Sequence, residues 1–339
     1  MLLSVVISTR NRVNLLRRTL EGVARVTCPS DRYEVIVVDT ASTDDTGAMG
    51  RELGPRLFRH FRYEWCDRPG LHIGRNRGAA VARGEIVVLA DDDIRPFPTW
   101  LSGMAKAFVA PEVGLAGGND LPDFEATPPA GLEALWSQHP QGRVHGALSL
   151  VDFGDRVKEI PPQYVFGCNF GIRKQLWRKA GGFHPDGLPE ELLRYRGDGE
   201  TAIAKAVVGL GYRSLFHPEA SVYHWVPRGR MSYGYLWRRG FMQGISDSYT
   251  AIREAAGLAA PKPLEWLRRI KRRAWRLGRW ARETLAEEAS AAYARHAYRQ
   301  GHVKGYDYHQ REVRNDASLL EWVLRPDYLD ENATPWPPH

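Results

Sequence analysis

The chain has 339 residues, 43% of them hydrophobic, which is enough for one large domain with a sizeable core. No apolar run approaches the roughly 18 residues that a membrane-spanning helix needs, and three widely separated cysteines exclude a disulfide scaffold or a cysteine zinc site. The formal charge of +7 is local, because residues 261–282 hold nine Lys or Arg and one Glu, which leaves the rest of the chain close to neutral.

Strands and helices are predicted to alternate over the first 120 residues. Nearly continuous apolar and β-branched runs predict strands at 2–8, 33–39, 56–63, 84–90 and 113–118. Helical spacing of apolar residues predicts helices at 12–25, with Asn11 as its cap, and at 42–53, 72–83 and 98–109. This alternation indicates βαβ units and an α/β fold with a mostly parallel sheet flanked by helices. The apolar start lacks the basic region and cleavage site of a signal peptide, so we interpret it as the first strand and expect a cytoplasmic protein.

The pattern changes after residue 120. Several prolines between about 120 and 170 predict long loops and short strands there. Further helices are predicted at 173–180 and 198–210, with short strands near 213–216 and 220–226. After about residue 230 the chain looks helical and is rich in Trp and Arg. We therefore predict a main domain over 1–228, in two halves at 1–120 and 121–228, followed by a helical basic region at 229–339.

Three consecutive carboxylates, Asp91, Asp92 and Asp93, follow the fourth predicted strand. In open α/β sheets, ligands bind beyond the carboxyl ends of the strands. A divalent cation such as Mn²⁺ or Mg²⁺ would relieve the repulsion between the carboxylates, and it usually takes further ligands from substrate phosphates and water. A solvated turn that caps the helix from Pro98 is the plainer interpretation. The position directly after an apolar strand favours the metal site.

Polar residues follow other predicted strands at the same edge of the sheet. Thr9 and Arg10 end the first strand and Asp39 ends the second, so together they form a polar rim that suits a base and a ribose. Arg68 and Arg75 lie close to a predicted helix start, where anionic groups bind readily. The glycines around them do not form the dinucleotide fingerprint G-x-G-x-x-G. Each of these residues, taken singly, is also explained as a turn residue or as surface charge.

Five segments, in this order, resemble the successive blocks of family 2 glycosyltransferases, which have the GT-A fold. They are SVVISTRNRVNLLRRTLEGV, YEVIVVDTASTDDT, GLHIGRNRGAAVARGEIVVLADDDI, FGCNFGIRKQLWRKAGGFHP and GDGETAIAKAVVGLGYRSLFHPEASVYH. The resemblance covers about residues 3–225. It implies a nucleotide-binding half at 1–120, an acceptor and catalytic half at 121–228, and a helical extension beyond them.

The resemblance also implies roles for residues at the first, second and fourth strand ends. Asp39 matches the aspartate that hydrogen-bonds the nucleotide base, and Thr9 matches a position flanking that base. Asp91 and Asp93 match the outer carboxylates of the D-x-D motif, with Asp93 as the metal ligand. Asp92, between them, is assigned with Asp91 to the donor-binding residues.

Two further matches lie later in the chain. His224, in VYHW, matches a histidine that completes the metal shell in some relatives, and an ordinary histidine at a strand end is the equally weighted alternative. Asn169, in GCNFG, falls in the loop near the donor diphosphate.

One block departs from the family pattern at the catalytic base. Many relatives have Glu-Asp before this helix, with the aspartate as base, whereas this chain reads Gly197-Asp198-Gly199-Glu200. Counting back from GYR aligns Glu200 with the base. We predict Glu200 as the base and leave Asp198 as the alternative, since aspartate is also favoured as a helix cap.

These residues predict a metal-dependent, inverting glycosyltransferase of polysaccharide or glycoconjugate assembly. It would move a sugar from a nucleoside-diphosphate sugar, with a UDP-sugar as the expected donor, to a hydroxyl of a saccharide or lipid-linked acceptor. A sugar-nucleotide nucleotidyltransferase would need a glycine-rich loop after the first strand, which STRNRVN does not provide. An aspartyl-phosphate phosphatase would carry its D-x-D after the first strand. A non-catalytic nucleotide-sugar binding protein of the same fold stays open.

The basic segment suggests a second partner. Residues 263–285 place apolar residues at helical spacing, with tryptophans near that face and arginines around it. Such a helix can lie on an anionic membrane surface, which predicts peripheral contact at the inner face of the membrane. Packing of the apolar face against the main domain is the plainer alternative. Nothing in the first domain indicates nucleic-acid recognition.

Overall fold

The structure is a computed structural model that describes residues 2–258, 278 and 289–329. Its main sheet has eight strands in the order β11-β13-β6-β12-β4-β1-β2-β3. They are β1 Leu3–Thr9, β2 Tyr33–Thr40, β3 Phe61–Cys66, β4 Ile86–Asp91, β6 Val113–Gly117, β11 Lys158–Glu159, β12 Asn169–Arg173 and β13 Arg213–Phe216. The strands β3, β2, β1 and β4 are mutually parallel, whereas β12 runs antiparallel to both of its neighbours.

Helices cover both faces of this sheet. They are α1 Val13–Val23, α2 Thr46–Leu57, α3 Leu71–Val81, α4 Trp100–Ala107, α6 Lys174–Lys179 and α7 Glu200–Gly209. On β1, Val5 and Ile7 point into the core with α1, α2 and α4, and Val6 points into the core with α3, α6 and α7. Because both faces are buried, the central strands are apolar throughout and show no alternation.

A second sheet of six strands stands beside the first, in the order β5-β14-β7-β10-β9-β8. They are β5 Ile94–Pro96, β7 Asp120–Phe124, β8 Ser137–His139, β9 Gly142–His145, β10 Leu150–Asp152 and β14 Val222–Val226. A short helix, α5 Ala130–Glu133, lies in the same part of the chain. The prolines between 120 and 170 thus separate short paired strands, and the sequence predicted the short strands but not their joint sheet.

Two local predictions were wrong. The strand predicted at 56–63 lies at Phe61–Cys66, because α2 continues to Leu57 with Pro55 inside it. Asn11 does not cap α1 through its side chain: it adopts a left-handed backbone conformation with φ 52°, which asparagine tolerates, and its Oδ1 accepts a hydrogen bond from the amide of Thr43 at 2.7 Å.

The C-terminal part is helical, as predicted, with α8 Tyr233–Glu254, α9 Ala289–Asn315 and α10 Ala317–Leu324. Gly240 of α8 lies against Tyr298 of α9, and Gly244, one turn further along α8, lies against His302, one turn further along α9. The two helices therefore run parallel. Their backbones touch where glycines face carbonyl groups: a Cβ on Gly240 would overlap the carbonyl oxygen of Tyr298, and one on Gly301 would overlap that of Trp237.

The division of the chain at residue 228 stays a prediction. Across that boundary, one end of the α8–α9 pair packs on the second sheet through Leu236 and Ala294. The other end packs with Tyr195 through Tyr249 and Val313. Within the described residues, no helix is both long enough and apolar enough to cross a bilayer.

Candidate active site

The ends of three parallel strands bring polar residues to one edge of the main sheet. Thr9 on β1 pairs in register with Asp39 on β2, and Ser8 pairs with Asp91 on β4. Since parallel strands present their carboxyl ends at the same edge, residues far apart in sequence become neighbours there. The polar rim expected from the sequence therefore exists as a feature of the sheet.

Asp91, Asp93 and His224 come together at this edge. One ligand atom from each lies within 4.8 Å of the others. His224 reaches the cluster because β14 pairs with β5, which starts directly after Asp93, and its Nε2 lies 3.5 Å from Oδ1 of Asp93. Burial opposes the charged form of His224, but the Asp93 carboxylate outweighs that effect and raises the pKa of His224.

Two arginines that the sequence analysis did not select neutralise the carboxylates. Arg12 contacts Asp92 at 2.7 Å and Asp93 at 2.8 Å, and Arg230 contacts Asp93 at 3.3 Å. Burial alone would raise the pKa of Asp93, but His224 and the two arginines hold it below its ordinary range. Burial dominates at Asp92, whose pKa is raised despite Arg12.

The cluster fits a divalent cation by its chemistry. Oδ1 of Asp93 is buried and has no hydrogen-bond partner within the described part of the chain, and its ion-pair contact with Nε2 of His224 is long, at 3.5 Å. Buried polar atoms normally have a partner, so this oxygen marks an interaction that the protein alone does not supply. Two carboxylates and one imidazole suit Mn²⁺ or Mg²⁺ when substrate phosphates and water complete the shell.

Arg75 connects this cluster to the predicted base. It lies on α3, is 4% exposed, and contacts Asp91 at 3.1 Å and Glu200 at 3.2 Å. The amide of Gly167 donates to the other oxygen of Glu200 at 3.1 Å. Asp91 and Glu200 both remain partly exposed, so the two carboxylates face solvent from opposite sides of the buried guanidinium.

Asp198 occupies a different environment from Glu200. Its Oδ1 lies 2.7 Å from Nδ1 of His184, and its Oδ2 accepts a hydrogen bond from Thr250 of α8 at 2.8 Å. Its side chain is 4% exposed, against 25% for Glu200. Asp198 therefore anchors the segment before α7, and Glu200, in the first turn of α7, is the carboxylate that solvent reaches.

The remaining residues selected from the sequence lie apart from this cluster or support it. Thr9 donates to Asp92 at 2.7 Å. Asp39 is buried and accepts hydrogen bonds from the amide of Ser42 and the hydroxyl of Tyr63. Arg10 is exposed at the rim, and Arg68 is partly exposed before α3.

Asn169 is buried beneath the site. Its Oδ1 accepts from the indole of Trp100 at 2.9 Å, and its Nδ2 donates to the carbonyl of Ala220 at 2.8 Å. These two bonds occupy both ends of the amide, so Asn169 ties α4 to the segment that leads to His224.

Sequence reasoning missed Arg12, Arg230 and Asp120. Asp120, at the start of β7, is 1% exposed, and burial raises its pKa to about 8, with Asn169, His224 and Asp91 near enough to interact electrostatically. The sequence GGND carried a signal for Asp120, a carboxylate two residues after a predicted apolar strand. No local signal marked Arg230, because it reaches Asp93 across 137 positions of the chain.

Comparison with known proteins places these features in a family. The family model described as glycosyl transferase family 2 matches residues 4–179, which is just over half of the chain. Glycosyltransferase AglE of Haloferax volcanii is 29% identical over 116 residues, covering 34% of this chain and 38% of that protein. Validoxylamine A glucosyltransferase of Streptomyces hygroscopicus subsp. jinggangensis is 35% identical over 112 residues, covering 32% of this chain and 26% of that protein. The chain thus spans well under half of the length of these two relatives.

A solved structure shows the same fold. The mannosyltransferase PcManGT from Pyrobaculum calidifontis, in complex with GDP-Man and Mn²⁺, aligns with a TM-score of 0.53 and 20% identity, over 95% of this chain and 84% of that one. The predicted GT-A fold with a helical C-terminal extension is therefore confirmed.

Proposed function

The chain belongs to glycosyl transferase family 2, and on that premise we propose that it transfers a sugar from a nucleoside-diphosphate sugar to an acceptor hydroxyl. The observation that carries the proposal is the placement of Asp91, Asp93 and His224 on one side of Arg75 and of Glu200 on the other. One side suits the diphosphate of a donor, and the other suits the proton of an attacking hydroxyl. A transferase needs both within one open edge of the sheet.

The donor would lie along the polar rim. Thr9, Arg10 and Asp39 are our proposed contacts for the base and ribose, with Asp91 and Asp92 beside them. Arg68 would approach the diphosphate. PcManGT binds GDP-Man, and for this chain a UDP-sugar remains the donor that we propose to test first.

Asp91, Asp93 and His224 would hold the metal, and we propose Mn²⁺ or Mg²⁺. When bound, the cation would stabilise the negative charge that develops on the leaving diphosphate. Arg12 and Arg230 contact Asp92 and Asp93 and offset part of their negative charge.

Glu200 is the proposed catalytic base. It is partly exposed at the start of α7, where an acceptor hydroxyl can come within hydrogen-bond reach and give up its proton as attack proceeds. Attack on the face opposite the leaving diphosphate would invert the anomeric carbon without a covalent intermediate on the enzyme. The surroundings of Asp198 favour a supporting role for that carboxylate.

The deciding experiment is a donor panel. The protein is incubated with UDP-, GDP- and dTDP-sugars and Mn²⁺, and release of the nucleoside diphosphate is measured with and without saccharide acceptors. We expect slow release from one donor class and faster release with the right acceptor. Tight donor binding without release from any of them would favour the non-catalytic binding protein instead.

We also propose a saccharide or lipid-linked acceptor, in polysaccharide or glycoconjugate assembly, and peripheral contact with an anionic membrane. The membrane proposal rests on the basic segment 261–282. This segment lies outside the described residues, apart from Gly278. Co-sedimentation with anionic and neutral vesicles tests it, because electrostatic docking should favour anionic vesicles and weaken with salt. No binding at low salt would contradict it.

A further inference from the structure

Arg75 is a buried cation shared between two carboxylates. Its Nη2 lies 3.1 Å from Asp91 and its Nη1 lies 3.2 Å from Glu200, 125 positions later in the chain. The arginine side chain is 5% exposed, while the carboxylates are 27% and 25% exposed. Arg75 is therefore buried behind the open edge of the main sheet. Of these three residues, Asp91 and Glu200 are the ones that a ligand can contact there.

The surroundings fix the guanidinium in this position. A Cβ at Gly167 would come within 2.4 Å of the guanidinium of Arg75, so a larger residue there would push the guanidinium out of this position. The same residue donates its amide to Oε1 of Glu200, whose Oε2 faces Arg75. The planar guanidinium offers several donors in a rigid fork, which lets one residue hold two carboxylates in a fixed relation.

We infer that Arg75 is a positioning residue that couples the metal carboxylate Asp91 to the base Glu200, so that charge at one end changes binding at the other. The inference rests on the proposed function, because it takes Asp91 as a metal ligand and Glu200 as the base. In this role Arg75 orients Asp91 and Glu200 and does not contact the donor.

The direction of the coupling follows from electrostatics. In the wild type, the negative charge of Glu200 offsets part of the positive potential that Arg75 produces at Asp91. If Glu200 loses its charge, the potential at Asp91 becomes more positive and opposes the binding of a cation there. Conversely, a cation at Asp91 weakens the attraction between Asp91 and Arg75, so Arg75 binds Glu200 more strongly. Coupling between two sites is reciprocal, so metal affinity reports on the base without any turnover.

The test is a double-mutant cycle on the affinity for Mn²⁺. Binding is titrated on the full chain in the presence of UDP, and repeated with GDP, for the wild type, Glu200→Gln, Arg75→Lys and the double variant. We expect Glu200→Gln to weaken Mn²⁺ binding by about tenfold. In the Arg75→Lys background, the same change should shift the affinity by roughly twofold or less, because a lysine ammonium cannot hold both carboxylates.

A matched control is Glu159→Gln. Glu159 also pairs with an arginine, Arg213, at 3.4 Å, but at the far edge of the main sheet. Its substitution should leave Mn²⁺ affinity unchanged. An unchanged affinity in Glu200→Gln overturns the inference, even if the arginine variant does not fold. An equal shift in both backgrounds also overturns it, because the effect would then not pass through Arg75.

Failure here is distinct from failure of the proposed function. Coupling in the cycle without transfer from any donor would support the link through Arg75 and contradict the proposed sugar transfer. Transfer without coupling would support the proposed sugar transfer and contradict the link through Arg75.

Discussion

Asp198 and His184 form a buried pair, with Oδ1 of the first 2.7 Å from Nδ1 of the second and both side chains almost fully enclosed. Thr250 of α8 donates to the other oxygen of Asp198. Both carboxylate oxygens of Asp198 therefore have partners within the protein. Asp198 lies two residues before Glu200, the carboxylate that we propose as base.

The first prediction compares these two carboxylates. Glu200→Gln should lower kcat by about 10²-fold or more, because the proton of the acceptor loses its base, with donor binding retained at saturating Mn²⁺. Asp198→Asn should lower kcat less and reduce the free energy of unfolding by about 1–3 kcal/mol, because it weakens a buried hydrogen-bonded pair. Steady-state kinetics and urea unfolding measure both. If Asp198→Asn is the more damaging variant for kcat at unchanged stability, Asp198 is the base.

The second prediction concerns the metal. Asp93 is 4% exposed and paired with Arg12 and Arg230, so alanine would remove a buried partner from both arginines. Asp93→Asn keeps the shape and removes the charge. We expect it to lower transfer by on the order of 10²-fold or more and to weaken Mn²⁺ binding in the presence of nucleotide. Full wild-type transfer in excess EDTA would contradict the assignment.

The third prediction concerns the contact between α8 and α9. Gly240→Ala should destabilise the protein by about 1–3 kcal/mol, because the new methyl group meets the carbonyl of Tyr298 and forces two backbones apart. Gly234→Ala is the matched control on the same helix, where the hydroxyl of Ser232 is the one group among the described residues that comes within 4 Å. The control should be neutral or stabilise by up to about 1 kcal/mol, since alanine favours helix. Equal unfolding midpoints for the two variants would argue against the close contact.

The fourth prediction is a pH dependence of stability from the same interface. His309 is fully buried, its Nδ1 lies 2.8 Å from the hydroxyl of Ser248, and burial lowers its pKa to about 4. The unfolded chain, with a histidine pKa near 6.5, binds the proton first, so stability is complete above about pH 6.5 and falls as pH drops toward 4. This group alone should contribute a loss of about 3 kcal/mol.

His309→Gln should flatten this part of the curve, as measured by unfolding between pH 4 and 7 at constant salt. His60→Gln is the control, because His60 lies in the connection between α2 and β3, outside the buried helix interface. An identical slope in wild type and His309→Gln would show that other groups cause the acid sensitivity.

The sequence predicted best where the structure repeats a simple rule. Buried parallel strands are apolar on both faces, and the runs ending at Thr9, Asp39 and Asp91 showed this directly. Strand ends then placed the carboxylates at one edge without any knowledge of side-chain contacts. The antiparallel direction of β12 was not predicted, because the direction of a strand leaves no periodic trace in its residues.

Long-range contacts explain most of what could not be predicted. β8 to β10 have three or four residues each, too few for alternation to stand out from loop sequence. Arg12 and Arg230 contact Asp93 from opposite ends of the catalytic region, and nothing near either residue indicates that contact. The sequence left Glu200 and Asp198 as alternatives, and their burial differs because His184 and Thr250 of α8 enclose Asp198.

Tyr328 connects the C-terminal part of the chain to the loop that carries His184. The backbone carbonyl of Tyr328 accepts from Asn76 at 3.1 Å, its amide donates to Gly181 at 2.9 Å, and its ring packs edge-on against His184. Segments that make few buried hydrogen bonds exchange their amide hydrogens first. Tyr328 is instead bonded to the loop that carries His184, the partner of Asp198, so amides around residue 328 and those around residue 184 should exchange as one slow unit. A ligand that rigidifies α7 would then slow exchange around Tyr328 as well.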